Sequence, residues 1–341
     1  MVGTYADFIL DDGYFHTGVF EGVSQQIGVF NDASNGAIQL VDKRIGGHYH
    51  HTLGYKQIED AWTRRDITAA TAIASGDTKK IAEYDQIGVK FNAKMFIQQT
   101  LDSFQKNFDP DMKGDYQAIS QRIGAATAFG RLKQQANQAL MCIRASLTNA
   151  SATANAHGAT VSSANYSGKL NSGDLIDGLA KMGDMASNIV CWVMHSKAFF
   201  DLVKNQVLDK VTGISDFALY AAAPITLNKP VLVTDSSALS AVIGSGSTAY
   251  TEYYTLGLVE GAAQVINSEL ERMVAMPVTG NENIVLNLQG EGAHNLEVKG
   301  AKWDVGSGGL NPTETALATK TNWDPNGVHY KNRAGVVIYH R

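Results

Sequence analysis

Apolar residues recur at steps of three or four over residues 115–148, which predicts one long amphipathic helix. No proline interrupts the stretch, and at about 1.5 Å per residue the helix would be roughly 50 Å long. The opposite face is rich in glutamine and arginine, including Gln134, Gln135 and Gln138. We therefore expect a strut that packs along one side and stays in water, or meets a neighbouring subunit, along the other. Its apolar positions are Ile119, Ile123, Ala126, Phe129, Leu132, Ala136, Leu140, Ile143 and Leu147.

The residues before this helix show no long period. Residues 1–42 alternate short apolar clusters with glycines, such as Phe8-Ile9-Leu10 and the stretch from Ile38 to Val41, which predicts an arm that lies on another surface. Within residues 43–92, alternating apolar positions predict strands at about 52–65 and 86–91. An isolated two-stranded ribbon is marginal in water, so we expect it to rest on something else, such as a second subunit.

The remaining elements are expected to alternate between helices and strands. Residues 93–108 are interpreted as a short helix that Asp109-Pro110 ends, and residues 148–174 as an exposed loop or weak hairpin. Continuous apolar strands, of the kind covered on both faces, indicate a compact α/β module at 172–267. The expected elements of this module are a helix at 174–185 capped by Ser172 or Asp174, a buried strand at 188–194, a helix at 196–210 capped by Ser196, and buried strands at 229–234 and 253–258. The tail is expected to be β, with strands near 273–274, 284–288, 295–303 and 335–339.

Length, composition and charge limit the number of domains and the kinds of partner that the chain can have. The 341 residues suggest two domains or one elaborated domain. A net charge of −5 argues against affinity for nucleic acid built on phosphate neutralisation. Cys142 and Cys191 lie in apolar contexts and are expected to be buried, reduced thiols. No apolar run reaches the roughly 18 residues of a membrane span, and the acidic, glycine-broken N-terminus is not expected to be a signal peptide.

The sequence contains few residue patterns that indicate catalysis or metal binding. The phosphate-loop, dinucleotide-binding, nucleophile-elbow and zinc-protease motifs are absent. His48, His50 and His51 form the one tempting metal cluster, because neutral imidazoles bind zinc or nickel. No nearby Cys, Asp or Glu completes a ligand set at a known spacing, so we interpret these residues as solvated histidines on a ribbon, and we predict no metal or other cofactor.

Two further groups invite a catalytic interpretation. His195 and Asp235 each follow a predicted buried strand, a position that carries catalysis in many α/β enzymes. A structural role is the commoner one, with Asp235 stabilising a turn. Glu269 and Glu271 alternate in a strand or loop, and without a cleft to place them they are interpreted as solvated. An α/β enzyme with its site near His195 and Asp235 stays open as an alternative.

Three stretches and the order of the parts carry a resemblance. NIVCWVMHSKAFFDLVKNQ at 188–206, ITLNKPVLVTDSSAL at 225–239 and YYTLGLVEGAAQVINSE at 253–269 resemble passages of the major capsid proteins of tailed bacteriophages, whose coat fold is shared with herpesviruses. The resemblance implies an α+β fold. Its parts would be an N-terminal arm at 1–42, an extended two-stranded loop at 43–92, a peripheral domain at 93–171 with a spine helix at 115–148, an axial α/β domain at 172–267, and the C-terminal strands of the peripheral domain at 268–341.

The resemblance also implies the function. The chain would be a structural protein, not an enzyme, that self-assembles into pentamers and hexamers of an icosahedral phage head around double-stranded DNA. It would be found in the virion after assembly in the host cytoplasm. Its expected partners are further copies of itself, a scaffolding protein, a portal protein, a decoration protein, and packaged DNA held without sequence-specific contact. No catalytic residues carry over from the resemblance. A cellular encapsulating shell protein of the same fold is a further alternative.

Overall fold

The computed structural model describes residues 31–32, 34–41, 49–56, 82–100, 116–158, 168–212, 226–246, 249–269, 272–283 and 285–341, together with residues 17, 47, 65, 67 and 68. The strands are β1 (Ile38–Val41), β2 (Tyr49–Tyr55), β3 (Glu83–Thr100), β4 (Ala156–His157), β5 (Ile189–Met194), β6 (Val231–Val233), β7 (Ser240–Ile243), β8 (Tyr250–Val259), β9 (Ala263–Asn267), β10 (Arg272–Val278), β11 (Val285–Val298), β12 (Ala301–Trp303), β13 (Trp323–Pro325) and β14 (Gly335–His340). The α-helices are α1 (Tyr116–Leu147), α2 (Ser172–Ala180), α3 (Ser196–Thr212), α4 (Val305–Gly308) and α5 (Glu314–Ala318).

The strands form two large sheets and one small pair. The first sheet has the order β1-β9-β11-β3-β2, and β10 pairs with the free edge at the start of β11. The second has the order β4-β14-β8-β5-β6, with β7 paired to β8. Strands β12 and β13 pair with each other and bring together the rings of Trp303 and Trp323, 5.1 Å apart. The mixed helix and sheet composition agrees with the α+β class expected from the sequence.

The long helix α1 confirms the prediction over residues 115–148, but its faces differ from the expected ones. Its C-terminal half is buried at Leu140, Ile143 and Leu147, whereas Phe129 from the predicted apolar stripe is 60% exposed. The expectation of a wet glutamine face is wrong for Gln138, which is fully buried. The polar side chain is accommodated because other parts of the fold supply its hydrogen-bond partners.

Buried hydrogen bonds replace water along this part of α1. The Gln138 Oε1 atom accepts a hydrogen bond from His294 Nε2 at 2.7 Å, and Gln138 Nε2 donates to Glu314 Oε1 at 3.0 Å. Gln135 Nε2 donates to Asn267 Oδ1 at 3.2 Å. These contacts tie the helix to β11, α5 and β9 of its own chain. Gln135 and Gln138 are therefore internal to the molecule.

The first sheet is built on the long antiparallel pairing of β3 with β11, whose register runs from Thr100 opposite Val285 to Val89 opposite Leu296. This pairing contradicts the predicted helix at 93–108 over residues 93–100, and residues 101–108 lie outside the described residues. The stretch contains good helix formers such as Ala93, Lys94 and Met95, but such propensities are weak and tertiary pairing overrides them.

The predicted arm is only partly described, since residues 1–30 lie outside the description except for residue 17. Its last part, however, belongs to the first sheet. Strand β1 pairs in parallel with β9, and Ile38 and Leu40 are buried in the main core of the same chain. The expectation that these apolar residues lie on another surface is therefore wrong for 38–41.

The predicted ribbon is present as the antiparallel pair β2 and β3, with Tyr49 opposite Val89 and Tyr55 opposite Glu83. The pairing confirms the expected strand at 86–91 and the first part of the one at 52–65, since β2 starts before residue 52 and ends at Tyr55. Residues 57–64 and 69–81, which include the expected ribbon tip, lie outside the described residues. The division of the chain into five segments stays a prediction.

The second sheet contains the predicted strands of the α/β module. Strand β5 is buried, and β8 is buried from Tyr254 to Val259, as expected. The predicted buried strand at 229–234 is instead the edge strand β6, with Val233 40% exposed. The last strand, β14, lies beside β8 in this sheet, with Gly335 opposite Leu258. This pairing links the final segment of the chain to the predicted axial segment.

The caps of the two main helices of this module differ from the predicted ones. Asn171, rather than Ser172 or Asp174, is the N-cap of α2: its side chain accepts from the Asp174 backbone N–H, and the Asp174 carboxylate accepts from the Asn171 backbone N–H, each at 3.0 Å. This reciprocal pair is a capping box. Helix α3 already includes Ser196, and the His195 Nδ1 atom accepts the Lys197 backbone N–H at 3.2 Å. The predicted Ser196 cap is therefore wrong.

Candidate functional site

Two histidines of the ribbon, His50 and His51, have carboxylate partners within the protein. His50 Nδ1 contacts Glu297 Oε1, and His51 Nε2 lies 3.2 Å from Asp85 Oδ1. Adjacent strand residues face opposite sides of the sheet, so the two rings do not converge. Within the residues that the structure describes, no group of three His, Cys, Asp or Glu side chains is placed to hold a metal ion. His48 lies outside these residues.

The contact between His50 and Glu297 crosses a strand through a gap that a glycine leaves. Glu297 lies on β11 and is buried, while His50 lies on β2, with β3 between them. At the crossing point, a Cβ added to Gly88 would overlap Glu297 Cγ and lie 2.9 Å from the Leu296 carbonyl oxygen. Only a residue without a side chain leaves this passage open. The ribbon is thus joined to the sheet by a side-chain contact that the sequence did not reveal.

The structure brings His195 and Asp235 together, with His195 Nδ1 3.8 Å from Asp235 Oδ1. The same Nδ1 atom accepts the Lys197 backbone N–H, and the ring packs on Tyr253 with the centroids 5.0 Å apart. The Tyr253 ring also contacts Lys197, whose Nζ atom lies 4.7 Å from the centre of the ring. These contacts describe a helix start that is held by packing and capping, in agreement with the structural interpretation.

The second candidate group was the carboxylate pair Glu269 and Glu271. Of these two, only Glu269 lies within the described residues. Glu269 Oε1 contacts Lys90 Nζ, and Lys90 is buried in the first sheet. A buried ammonium group needs a charged or polar partner. The exposed Glu269 therefore supplies the partner of a buried lysine.

Both cysteines are buried and unpaired, as expected. Burial raises the pKa of the Cys191 thiol to about 12 and raises the pKa of the Cys142 thiol still further. The thiolate is the nucleophilic form of cysteine, so these two side chains are inert core residues.

The ribbon exposes apolar side chains on one face of β2. Leu53 is 63% exposed and Tyr55 is 71% exposed, although both belong to a regular antiparallel pair. Strand β2 is also the edge strand of the first sheet. Exposed apolar side chains on an edge strand are a common feature of surfaces that associate with other chains.

A second exposed apolar surface lies on the outer face of the three-stranded part of the first sheet. Phe96 on β3 and Val274 on β10 both stand opposite Gln289 on the intervening strand β11. These two side chains and Met276 are exposed. Cross-strand neighbours on one face of a sheet lie about 5 Å apart, so the apolar residues form a continuous patch with Gln289 at its centre.

The opposite face of the same strands forms one wall of an apolar groove, and the N-terminal half of α1 forms the other. The groove has a volume of about 480 Å³. Its sheet wall includes Met95, Ile97 and Met273, and its helix wall includes Ile123 and Ala126. The groove therefore lies between α1 and the first sheet.

None of the helices in the described residues combines the length and apolar character that a membrane span requires.

A family model describes nearly the whole chain. Residues 7–337 match the family described as major capsid protein 13-like. No curated protein sequence matches the chain.

Distant similarities to solved structures accompany this match. The chain resembles a capsid subunit of cyanophage Pam1 at 10% identity, with 89% of this chain and 88% of the other covered and a TM-score of 0.48. It resembles the capsid protein of Ralstonia phage GP4 at 11% identity, with 90% and 87% covered and a TM-score of 0.48. It also resembles a chain of the head of Helicobacter pylori bacteriophage KHP40 at 8% identity, with 90% and 88% covered and a TM-score of 0.46.

Proposed function

The chain belongs to the major capsid protein 13-like family, and from this premise we propose that it self-assembles into the pentamers and hexamers of an icosahedral head. Its role is structural, as a major capsid protein of a bacteriophage. The assembled head would enclose double-stranded DNA. The virion capsid is its location, and assembly would take place in the host cytoplasm.

The observation that carries the proposal is the set of apolar side chains that the folded chain leaves in water. Leu53 and Tyr55 project from the ribbon, and Phe96, Val274 and Met276 project from the outer face of the first sheet. Covering such side chains is worth about 25 cal/mol for each Å² of apolar area. Neighbouring copies are the partners that a capsid subunit meets, so we assign these two surfaces to contacts between copies.

The two surfaces lie on different strands and differ in composition, which suits a ring of identical subunits. One is the apolar face of β2, and the other is a face of β3, β10 and β11 with Gln289 among apolar neighbours. A ring contact is heterologous, because each subunit uses one surface towards the copy on its left and a different surface towards the copy on its right. Many such contacts must break together before a closed shell opens, so each contact can be individually weak.

The other partners follow from the same role. A scaffolding protein would guide assembly, a portal protein would occupy one vertex, and a decoration protein would bind the outside of the shell. Packaged DNA would contact the shell without sequence-specific recognition. The net charge of −5 supports loose retention of DNA, since tight binding requires neutralisation of phosphates by clustered lysine and arginine.

We propose no enzymatic activity for the chain. His195, the centre of the alternative enzyme hypothesis, caps α3 and packs on Tyr253. The apolar groove is lined by neither His195 nor Asp235. The cellular shell protein, the other alternative, differs from a phage capsid protein in its genetic setting. A neighbouring gene for a portal or a terminase would identify the phage setting, and a neighbouring cargo enzyme gene would identify the cellular one.

Electron microscopy tests the proposal. The protein is purified alone and with a co-expressed scaffolding protein, and both preparations are imaged and sized by light scattering. Closed shells, or rings of five or six subunits, are expected in at least one preparation. A monomer of 36.6 kDa under every condition would contradict the proposal.

A further inference from the structure

A polar pocket of about 530 Å³ lies at the base of the ribbon. One wall comes from the ends of β2 and β3, and the other from the turn after β11 and the loop after β13. The side chains that matter for its chemistry are Lys56, Tyr84, Lys299, Asn326, His329 and Asn332. Among the described residues that line the pocket, two are lysines and none is an aspartate or a glutamate.

Lys56 is held at the pocket without a carboxylate partner from the described part of the chain. Its ammonium group lies against Gly327, where an added Cβ would be 2.5 Å from Nζ. Gly327 has a φ of +81°, which strongly favours glycine. The loop thus leaves room for the ammonium group and provides no negative charge to neutralise it.

Asn326 adds an unpartnered donor. The residue is only 7% exposed, and its Oδ1 atom accepts the Val328 backbone N–H at 3.2 Å. Its Nδ2 group is buried and has no hydrogen-bond partner among the residues that the structure describes. A buried amide donor without a partner is costly, and most such groups in native proteins have one.

The neighbouring groups are donors as well. His329 Nδ1 accepts the Lys331 backbone N–H at 3.4 Å, so a neutral His329 ring carries its proton on Nε2 and can only donate a further hydrogen bond. Lys299 Nζ donates to the Glu260 carbonyl oxygen at 3.3 Å, which leaves further N–H groups of the ammonium for a ligand. The pocket therefore offers two positive charges and several donors.

We propose that this pocket binds an oxyanion of the phosphate class through Lys56, Lys299 and Asn326. Such a ligand is negatively charged and has several acceptor oxygens, which is the complement of two ammonium groups and unpaired N–H donors. The two walls belong to the ribbon and to the body of the chain. A bound oxyanion therefore bridges them and fixes the base of the ribbon. The proposal does not depend on the assembly role.

Titration with inorganic phosphate tests the site. Calorimetry on the purified full chain, at constant ionic strength set with chloride, is expected to show saturable binding. Lys56→Gln and Lys299→Gln should each weaken binding about tenfold or more, because each removes a charged hydrogen-bond donor. Lys320→Gln is the matched control, since Lys320 is exposed and does not line the pocket. Equal binding by the wild type and the two pocket variants, or no binding by the wild type, would overturn the proposal.

A further variant distinguishes loss of phosphate binding from loss of folding. Asn326→Asp has almost the same shape, and its carboxylate would occupy the place of the ligand charge. It should abolish phosphate binding while the thermal unfolding midpoint does not fall. A short duplex DNA distinguishes the source of the phosphate: if DNA displaces bound phosphate, the site takes a phosphodiester, and if it does not, the site takes a free oxyanion. Either outcome supports the site, whereas unchanged phosphate binding by Asn326→Asp would contradict it.

Discussion

Two buried histidines predict that acid destabilises the folded subunit. His294 on β11 and His340 on β14 are almost fully buried. Burial, reinforced by the positive charge of Arg131, lowers the pKa of His294 to about 3 from the usual 6.5. Burial lowers the pKa of His340 to about 3 as well, with Lys197 and His195 adding to the effect and Asp201 opposing it. Both rings are therefore neutral in the folded chain at pH 5.

The size of the effect follows from proton linkage. Between pH 3 and 6.5 the unfolded chain binds more protons than the folded chain, so stability is fully present above about pH 6.5 and is lost as the pH falls. One pKa unit corresponds to about 1.36 kcal/mol. From pH 7 to pH 5, each histidine therefore lowers the free energy of unfolding by about 2 kcal/mol, and the two together lower it by about 4 kcal/mol.

Urea unfolding of the unassembled subunit at pH 7 and pH 5 measures this loss. Trp192, Trp303 and Trp323 are fully buried and report unfolding by fluorescence. In the double variant His294→Gln and His340→Gln, the change in unfolding free energy between the two pH values should be smaller than in the wild type by about 4 kcal/mol. The comparison of differences removes the contribution of groups that titrate equally in both proteins.

A control separates titration from packing. Thr255 Oγ1 lies 2.9 Å from His340 Nε2, so Thr255→Val removes the hydrogen-bond partner of the ring and keeps the ring itself. This variant should be less stable at both pH values, with the pH dependence of the wild type. If the double histidine variant retains the full pH dependence of the wild type, the two buried rings do not cause the loss of stability in acid.

Three further predictions concern backbone space and the ribbon. Gly335→Ala should destabilise the fold by about 3 kcal/mol or more, because φ is +146° and the added Cβ would overlap the Gly257 carbonyl oxygen; urea unfolding measures it, and wild-type stability would contradict it. Gly88→Val should block the path of Glu297 across β3, and faster hydrogen exchange in β2 would reveal a loosened ribbon, whereas unchanged exchange would show that the contact is dispensable. Leu53→Ser should leave the unfolding free energy of the subunit within about 0.5 kcal/mol and reduce the yield of closed shells in micrographs; an unchanged yield would remove Leu53 from the contact surface.

The sequence predicts elements best where one periodic pattern decides the structure. Helix α1 was predictable to within a residue at each end because its apolar residues recur at helical spacing over about eight turns. The alternation of Ile87, Val89 and Phe91 likewise predicted part of β3. The second half of β3 was not predictable, since Ala93, Lys94 and Met95 favour a helix locally and become a strand only by pairing with β11.

Long-range partners explain most of the remaining differences. Gln138 was expected in water because glutamine is usually exposed, yet His294, which lies 156 residues away along the chain, accommodates it in the core. Ile38 was expected on a foreign surface, yet it pairs in parallel with Ala263. No local pattern reports either contact. The contact of Glu297 past Gly88 is another long-range contact of this kind. A glycine within a strand indicates that some group approaches closely, but it does not show which group.

We propose that neighbouring copies cover the apolar side chains of the ribbon. A high-resolution cryo-electron microscopy structure of assembled particles would show this through the exposure of Leu53 and Tyr55. These residues are 63% and 71% exposed in the single chain, and both are predicted to be buried against an adjacent subunit in the shell. Side chains that remain as exposed in the shell as in the single chain would contradict the account.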